Sequence, residues 1–163
     1  MELKKLMGAA AAQAELLQEL LVLLERETSE MGDVNVAAMA KINQAKEELL
    51  KKIADQSTHL KQAIASMAAR EGLYADAALG AVAEHFSKKG NGELRAIQRQ
   101  LSGTADRIQR IAAINREIAE RFASTIGNSL NLLTMLINQS NVYGATGGYQ
   151  QRPTGAVMIN REA

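Results

Sequence analysis

The chain has no cysteine, no tryptophan, a single proline and few aromatic side chains. Without cysteine, disulfides, zinc–thiolate sites and thiol nucleophiles are excluded. Two Phe, three Tyr and few Val leave little of what favours extended sheet. The one proline, Pro153, lies near the end, so nothing upstream forces a helix to break. Charge of one sign is also lacking: 19 basic residues stand against 18 acidic ones. That balance gives no electrostatic footprint for nucleic acid. Lys4 and Lys5 before Leu6–Ala12 have the outline of a signal peptide, but that apolar run holds only seven residues. Gln13, Glu15, Gln18 and Glu19 interrupt the next turns, and no run approaches the roughly 18 apolar residues of a membrane span. The expectation is a soluble, cytoplasmic protein without membrane insertion.

What is present is Leu, Ile, Ala and Met, which are helix-packing residues. Hydrophobic residues make up 47% of 163, enough for the core of one domain or one bundle. The organising stretch is Leu94 to Tyr143. Leu94, Ile97, Leu101, Thr104, Ile108, Ile111, Asn115, Ile118, Phe122, Thr125, Ser129, Leu132 and Leu136 form a seven-residue repeat. Such spacing places one stripe along one side of a helix roughly 75 Å long. A helix of that length cannot bury its stripe against itself.

Two further helices supply cover. Over 2–30 the stripe is Leu3, Met7, Ala10, Ala14, Leu17, Leu21 and Leu24, widened by Leu6, Leu16, Leu20 and Leu23. A stripe that wide suits burial by more than one neighbour. Glu15, Glu19, Glu25 and Glu27 fall on the wet side. Gly32 is the expected stop and Asp33 the expected cap of the next helix. The short link makes these two helices antiparallel. Over 34–70 the seam is Ile42, Ala45, Leu49, Ile53, Gln56, Leu60, Ala63 or Ile64, and Met67. Lys41, Lys46, Glu47, Glu48, Lys51 and Lys52 mark its solvated face, with Glu47–Lys51 and Glu48–Lys52 spaced for weak pairs. Gly72 ends it. Leu73–Phe86 is a weaker helix of about twelve residues facing a core with Ala77, Ala78, Val82 and Phe86. Ser87–Gly92 is a loop, and Asn91 or Gly92 starts the long last helix. Gly103 and Gly127 interrupt that helix; near Ser102 and Gly103 the options are a kink or a close helix contact.

The fold class is therefore all-α. It reads as an elongated, antiparallel, coiled-coil-like helical bundle of three long helices plus one short one. Residues 1–142 form the helical domain. From 143 to 163 periodicity is lost, glycines gather and Pro153 appears, which reads as a flexible tail.

The chain offers little chemistry. His59 and His85 lie in no metal-binding pattern, and Asp55 one turn from His59 is too few ligands. No Gly-x-Ser-x-Gly turn exists, and Gly144–Gly148 lacks a phosphate-loop lysine. Lys88, Lys89 and Gly90 before a helix start form an anion site or a plain polar turn. Met7, Met67 and Met135 lie on apolar stripes and read as core. The expectation is no enzyme, no cofactor and no metal. Asn115 is the most specific seam residue: it either fixes helix register or turns to solvent as the stripe drifts. Below Thr125 and Ser129 the apolar residues Leu130, Leu132, Leu133, Met135, Leu136 and Ile137 spread around the helix. They are either core or a surface for a partner.

Several stretches together resemble the FlgN family of flagellar type III export chaperones. Leu16, Leu17, Leu20 and Leu21 to Glu25 match its leucine-rich opening helix. Ile42 through Lys46, Glu47, Glu48, Leu49 and Leu50 match its second. Asn115 and Arg116, then Asn128 to Leu133, resemble its final helix, and Tyr143, Gly144 and Gly147 its aromatic-glycine ending. The Ala-rich start and the extension to Ala163 are less typical of it. The resemblance implies a cytoplasmic chaperone that holds hook–filament junction proteins and delivers them to the flagellar export gate, using no nucleotide. Partner-binding residues are then Leu132, Leu133, Leu136 and Ile137, with Tyr143 as an anchor or gate contact; Tyr143 otherwise is a plain capping aromatic. The competing readings are a structural coiled coil that self-associates and a helical adaptor of another system.

Overall fold

A computed structural model describes residues 2–74 and 76–140, with side chains through 137. Four helices stand in order: α1 (Glu2–Gly32), α2 (Val36–Arg70), α3 (Leu79–Lys88) and α4 (Glu93–Ser140). Among the described residues there is no strand, and the protein is all-α as its composition implies. The chain divides into two units, Met1–Ala119 and Glu120–Ala163.

In the first unit α1 packs along α2 and bonds to α4. Gln13 Nε2 donates to Ser57 Oγ at 3.1 Å and Gln56 Nε2 to the Ala9 carbonyl at 2.9 Å. Lys46 pairs with Glu27 further along. Numbers rising on α1 meet numbers falling on α2, so the two are antiparallel. Contacts from α1 to α4 instead join residues 82 to 91 apart, so α4 runs parallel to α1. The stripes read from the sequence are the buried faces. Leu6, Ala10, Ala14, Leu20, Leu21 and Leu24 of α1 are buried, as are Ile42, Leu49, Leu60 and Met67 of α2. On α4 Leu94, Thr104 and Asn115 are buried, with Ile97, Leu101, Ile108, Ile111 and Ile118 partly so.

The core comes in two apolar blocks. One joins Leu6, Ala10, Leu60, Met67, Val82 and Leu94; the other joins Leu20, Leu24 and Leu49 with Ile53, Ile108 and Ile111. Between them along the helices lie Gln13, Gln56, Ser57 and the buried Thr104. Beyond the second block lies a second polar layer around Asn115, which decides between its two readings: it is buried and fixes register. Its amide donates to the Leu24 carbonyl and to Glu27 Oε2, both at 2.9 Å, and its oxygen accepts from Thr28 Oγ1 at 2.6 Å. A one-heptad slip of α4 would bring Ile108 or Phe122 to this layer and break all three of these bonds.

The turns differ from expectation after α1 and before α3. Gly32 remains helical and Asp33 caps nothing; the left-handed residue is Val34, at φ 54°. Asn35 N then bonds back to the Glu30 carbonyl at 2.9 Å, and the Asn35 side chain accepts from Ala38 N to cap α2. A β-branched residue in that conformation is strained, and the two closing bonds hold it there. Gly72 behaves as expected: at φ 70° it lets Leu73 N reach the Ala68 carbonyl. α3 starts later than expected because Ala78 is extended, and Val82 and Ala83 are its buried residues. Asn91 Oδ1 accepts from Glu93 N at the start of α4. α4 is an unbroken α-helix through Gly103. A Cβ on Gly103 would meet nothing within 4 Å, so close helix contact is not its role.

Two residues expected on solvated faces point inward instead. Glu27 and Lys46 form a half-buried ion pair that completes the Asn115 layer. Neither Glu47–Lys51 nor Glu48–Lys52 closes to a salt bridge among the described residues; Glu48 accepts from Gln44. One 18-residue window of α1 reaches a mean hydropathy of 1.3, so by length and composition alone α1 passes as a membrane span. A third of that window is buried within the first unit.

Candidate functional site

The described part of the second unit is a helix whose large apolar side chains lie open. Ile126, Leu130, Leu132, Leu133, Met135, Leu136 and Ile137 are each between 55% and 62% exposed, and Phe122 is 38% exposed. The expected partner-binding residues Leu132, Leu133, Leu136 and Ile137 therefore sit in one accessible segment. Met135 is exposed too, against the expectation that it packs; Met7 and Met67 do pack. Tyr143 lies outside the described residues, as does the expected tail.

At about 100° per residue, Phe122, Ile126, Leu130 and Leu133 form one stripe. Leu132 and Leu136, with Thr125 and Ser129, form a second beside it. The heptad series through Phe122, Thr125 and Ser129 conceals the first stripe, so periodicity alone does not single out Ile126. The hydroxyls here are turned inward. Thr125, Ser129 and Thr134 each donate to the carbonyl four residues back, at 2.9 Å. Their donors need no outside partner, so covering this face costs little for polar groups.

Charge sets the segment apart. From Phe122 to Gln151 the sequence has no Asp, Glu, Lys or Arg, and 34 of the 37 charged residues precede it. Ion pairs in the first unit include Arg107–Glu25 at 3.0 Å, Lys88–Glu84 at 3.1 Å and Lys89–Glu71 at 2.6 Å. Lys88 and Lys89 thus serve internal carboxylates, which favours the polar-turn reading of their loop over an anion site. The Lys89 ammonium, then His85 at 3.1 Å, hold the Glu71 carboxyl below its ordinary value. Lys88 does the same for Glu84. His59 is exposed, and no group of three metal-ligating side chains occurs among the described residues. The first unit also has an open trough of about 780 Å³ along α1 and α2, with Leu23, Ala45 and Leu49 in it and Glu19, Glu48 and Lys52 at its rim.

Against known protein families, residues 1–151 match the model described as FlgN protein. The chain belongs to the FlgN family. Neither the curated proteins nor the solved structures contain a match. FlgN membership makes this a chaperone of flagellar export, in a family that is not enzymatic and that binds flagellar export substrates.

Proposed function

We propose that this FlgN chaperone works in the cytoplasm. It holds hook–filament junction proteins, the hook-associated proteins, by their terminal amphipathic segments and keeps them from assembling early. It then delivers them to the flagellar type III export gate. The observation that carries this is the run of apolar side chains from Ile126 to Ile137, each more than half exposed on a helix. An amphipathic segment that is disordered alone becomes helical by laying its apolar stripe on such a surface. The ordering cost of coupled folding keeps the complex reversible, which handover requires. Leu132, Leu133, Leu136 and Ile137 are the client contacts in this reading. Tyr143, at the root of a tail spanning 143–163 beyond a helical domain of 1–142, is the anchor or gate contact.

The test is a complex with the C-terminal segment of a hook-associated protein, expected at one to one. Replacing Leu132, Leu133 and Leu136 together with Ala should abolish it while the circular dichroism stays helical. Binding that survives the triple change removes this face from the mechanism. The same exposed residues also suit a second copy of the chain. A solution mass showing a stable dimer that sequesters Leu133 would favour self-association instead.

A further inference from the structure

The absence of charge from Phe122 to Gln151 says something about what this part of the second unit accepts, given the client-binding reading above, on which this inference rests. We infer that the face from Phe122 to Leu136 selects helical client segments whose contacting seam carries no charged side chain. The selection works by exclusion, not by ion pairing. Three observations converge on it.

The first is composition. The 30 residues from Phe122 to Gln151 contain no Asp, Glu, Lys or Arg, in a chain where those types make up 23%. A client cation or carboxylate laid on this face would lose water and find no opposite charge. The second is the hydroxyl geometry. Thr125, Ser129 and Thr134 spend their donors on helix carbonyls at 2.9 Å. They present methyl and methylene surface and offer no donor to a client carboxylate. The third is the arrangement of side chains. Ile126, Leu130 and Leu133 form one stripe and Leu132 and Leu136 another, all between 55% and 61% exposed. A helix seated between or along these stripes buries its own seam against aliphatic carbon. Its central side chains then lose water along the contact, where an unpaired charge is costly.

The first unit shows the contrast in the same chain. Where it buries a charge, it supplies the partner, as Lys46 does for Glu27 and as the Asn115 amide does at 2.9 Å. Past Arg121 the described surface of the second unit carries no charged group at all. The consequence for kinetics is that capture is not electrostatically steered, so salt changes neither its rate nor its strength much.

The experiment uses the full chain and two synthetic amphipathic peptides. One has Leu at the heptad seam and only Ser, Thr and Asn elsewhere; its sibling has Lys at one central seam position. Binding is measured by calorimetry or fluorescence anisotropy from about 0.01 M to about 1 M salt, over which the screening length falls from about 30 Å to about 3 Å. The uncharged peptide should change affinity less than about threefold across that range. The Lys sibling should bind at least about tenfold more weakly at every salt concentration, the equivalent of about 1.4 kcal/mol. Ser129→Lys in the chaperone should weaken the uncharged peptide and favour a third peptide with Glu at the seam, with helicity unchanged as the folding control.

Affinity that falls more than about tenfold with salt, or equal binding of the Lys sibling, overturns the exclusion rule. The client-binding reading then still stands if the Leu132, Leu133 and Leu136 triple variant loses the hook-associated segment. If that segment itself does not bind, the client-binding reading fails, and this inference fails with it. Uncharged peptide that binds but is unaffected by the triple variant overturns the rule for this face.

Discussion

The two units of this chain solve opposite problems with the same kind of helix. In the first unit the Asn115 layer answers the polar groups it takes from water, and apolar side chains are covered. Asn115, Glu27, Lys46 and Thr28 form one closed set, and the aliphatic residues above it fill two blocks. In the second unit the aliphatic residues are left open, and past Arg121 charge is left out until the chain's last dozen residues. The difference separates two meanings of an apolar seam. A seam flanked by charges and met by another helix is scaffold. A seam on an uncharged stretch of helix, with its hydroxyls folded back on its own carbonyls, is left open, and under the client-binding proposal it is the surface a partner covers.

The most direct way to break that comparison is to remove one leucine from each unit. Leu21 has no exposed surface and Leu133 is 55% exposed. Leu21→Ala should destabilise the protein by about 2–5 kcal/mol, the usual cost of a leucine-sized cavity. Leu133→Ala should change stability by no more than about 0.5 kcal/mol. Urea denaturation monitored by circular dichroism reads both. A large loss from Leu133→Ala would mean that the second unit has a core of its own.

Next in size is the same conversion of asparagine to aspartate in each unit. Asn115→Asp puts a carboxylate where an amide now donates to Glu27 and to the Leu24 carbonyl. The loss of two buried bonds plus like-charge repulsion should cost about 3 kcal/mol. Adding Glu27→Gln should recover a good part of it, since the glutamine amide can donate to the new carboxylate. Asn131→Asp, on the exposed helix, should cost no more than about 0.5 kcal/mol. Thermal melts of the three variants test this, and absence of rescue would place the Asn115 effect outside the pair.

How much of this is legible in the sequence depends on what periodicity measures. The seam from Leu94 to Ile118 can be read residue by residue, because a seven-residue repeat in a long helix has only one face to offer. The stripes of α1 and α2 are legible for the same reason. Periodicity does not say where a neighbour stops. The series continues smoothly through Phe122, Thr125 and Ser129, yet α1 ends at Gly32, and the offset of 82 to 91 brings that end level with the last residues of the first unit. Met135 therefore reads as core and is not. Glu27 and Lys46 read as solvated because each lies at the margin of its stripe, and their attraction runs across two helices. The turn departs from expectation for a local reason. Gly32 is the better left-handed residue, but the chain reaches its reversal two residues later, at Val34.

A smaller effect sharpens the comparison within α4. A Cβ on Gly103 or on Gly127 would meet nothing within 4 Å, so alanine fits at both. Each replacement should favour helix by about 1 kcal/mol. Gly103 lies in the cooperative first unit, so Gly103→Ala should raise the denaturation midpoint. Gly127 lies on the open helix, so Gly127→Ala should strengthen amide exchange protection around residues 123–131 and leave the midpoint unchanged. Equal midpoint shifts would show the two units unfolding as one.

The smallest expected effect concerns pH, and it falls on the first unit alone, where the shifted carboxyls lie. Glu71 caps the end of α2 and accepts from Lys89 at 2.6 Å, with His85 at 3.1 Å, so one carboxylate ties α3 to α2. Its pKa in the folded protein is lowered from 4.5, by the Lys89 hydrogen bond first and His85 second. A lowered folded-state value means that protonation is resisted by the fold. The stability it contributes is complete above the unfolded-state value and disappears as pH falls through the lower folded-state one. Acidification below about pH 4.5 should therefore lower the denaturation midpoint of the native chain more steeply than that of Glu71→Gln, which has no such proton to take up. The group is well solvated, so the difference is small, and parallel midpoint curves for the two proteins would show that the tie between α2 and α3 does not depend on charge. Binding of the uncharged peptide by the second unit should stay flat from neutral pH down to the onset of unfolding, because no Asp, Glu, Lys, Arg or His lies between Phe122 and Gln151 to titrate there.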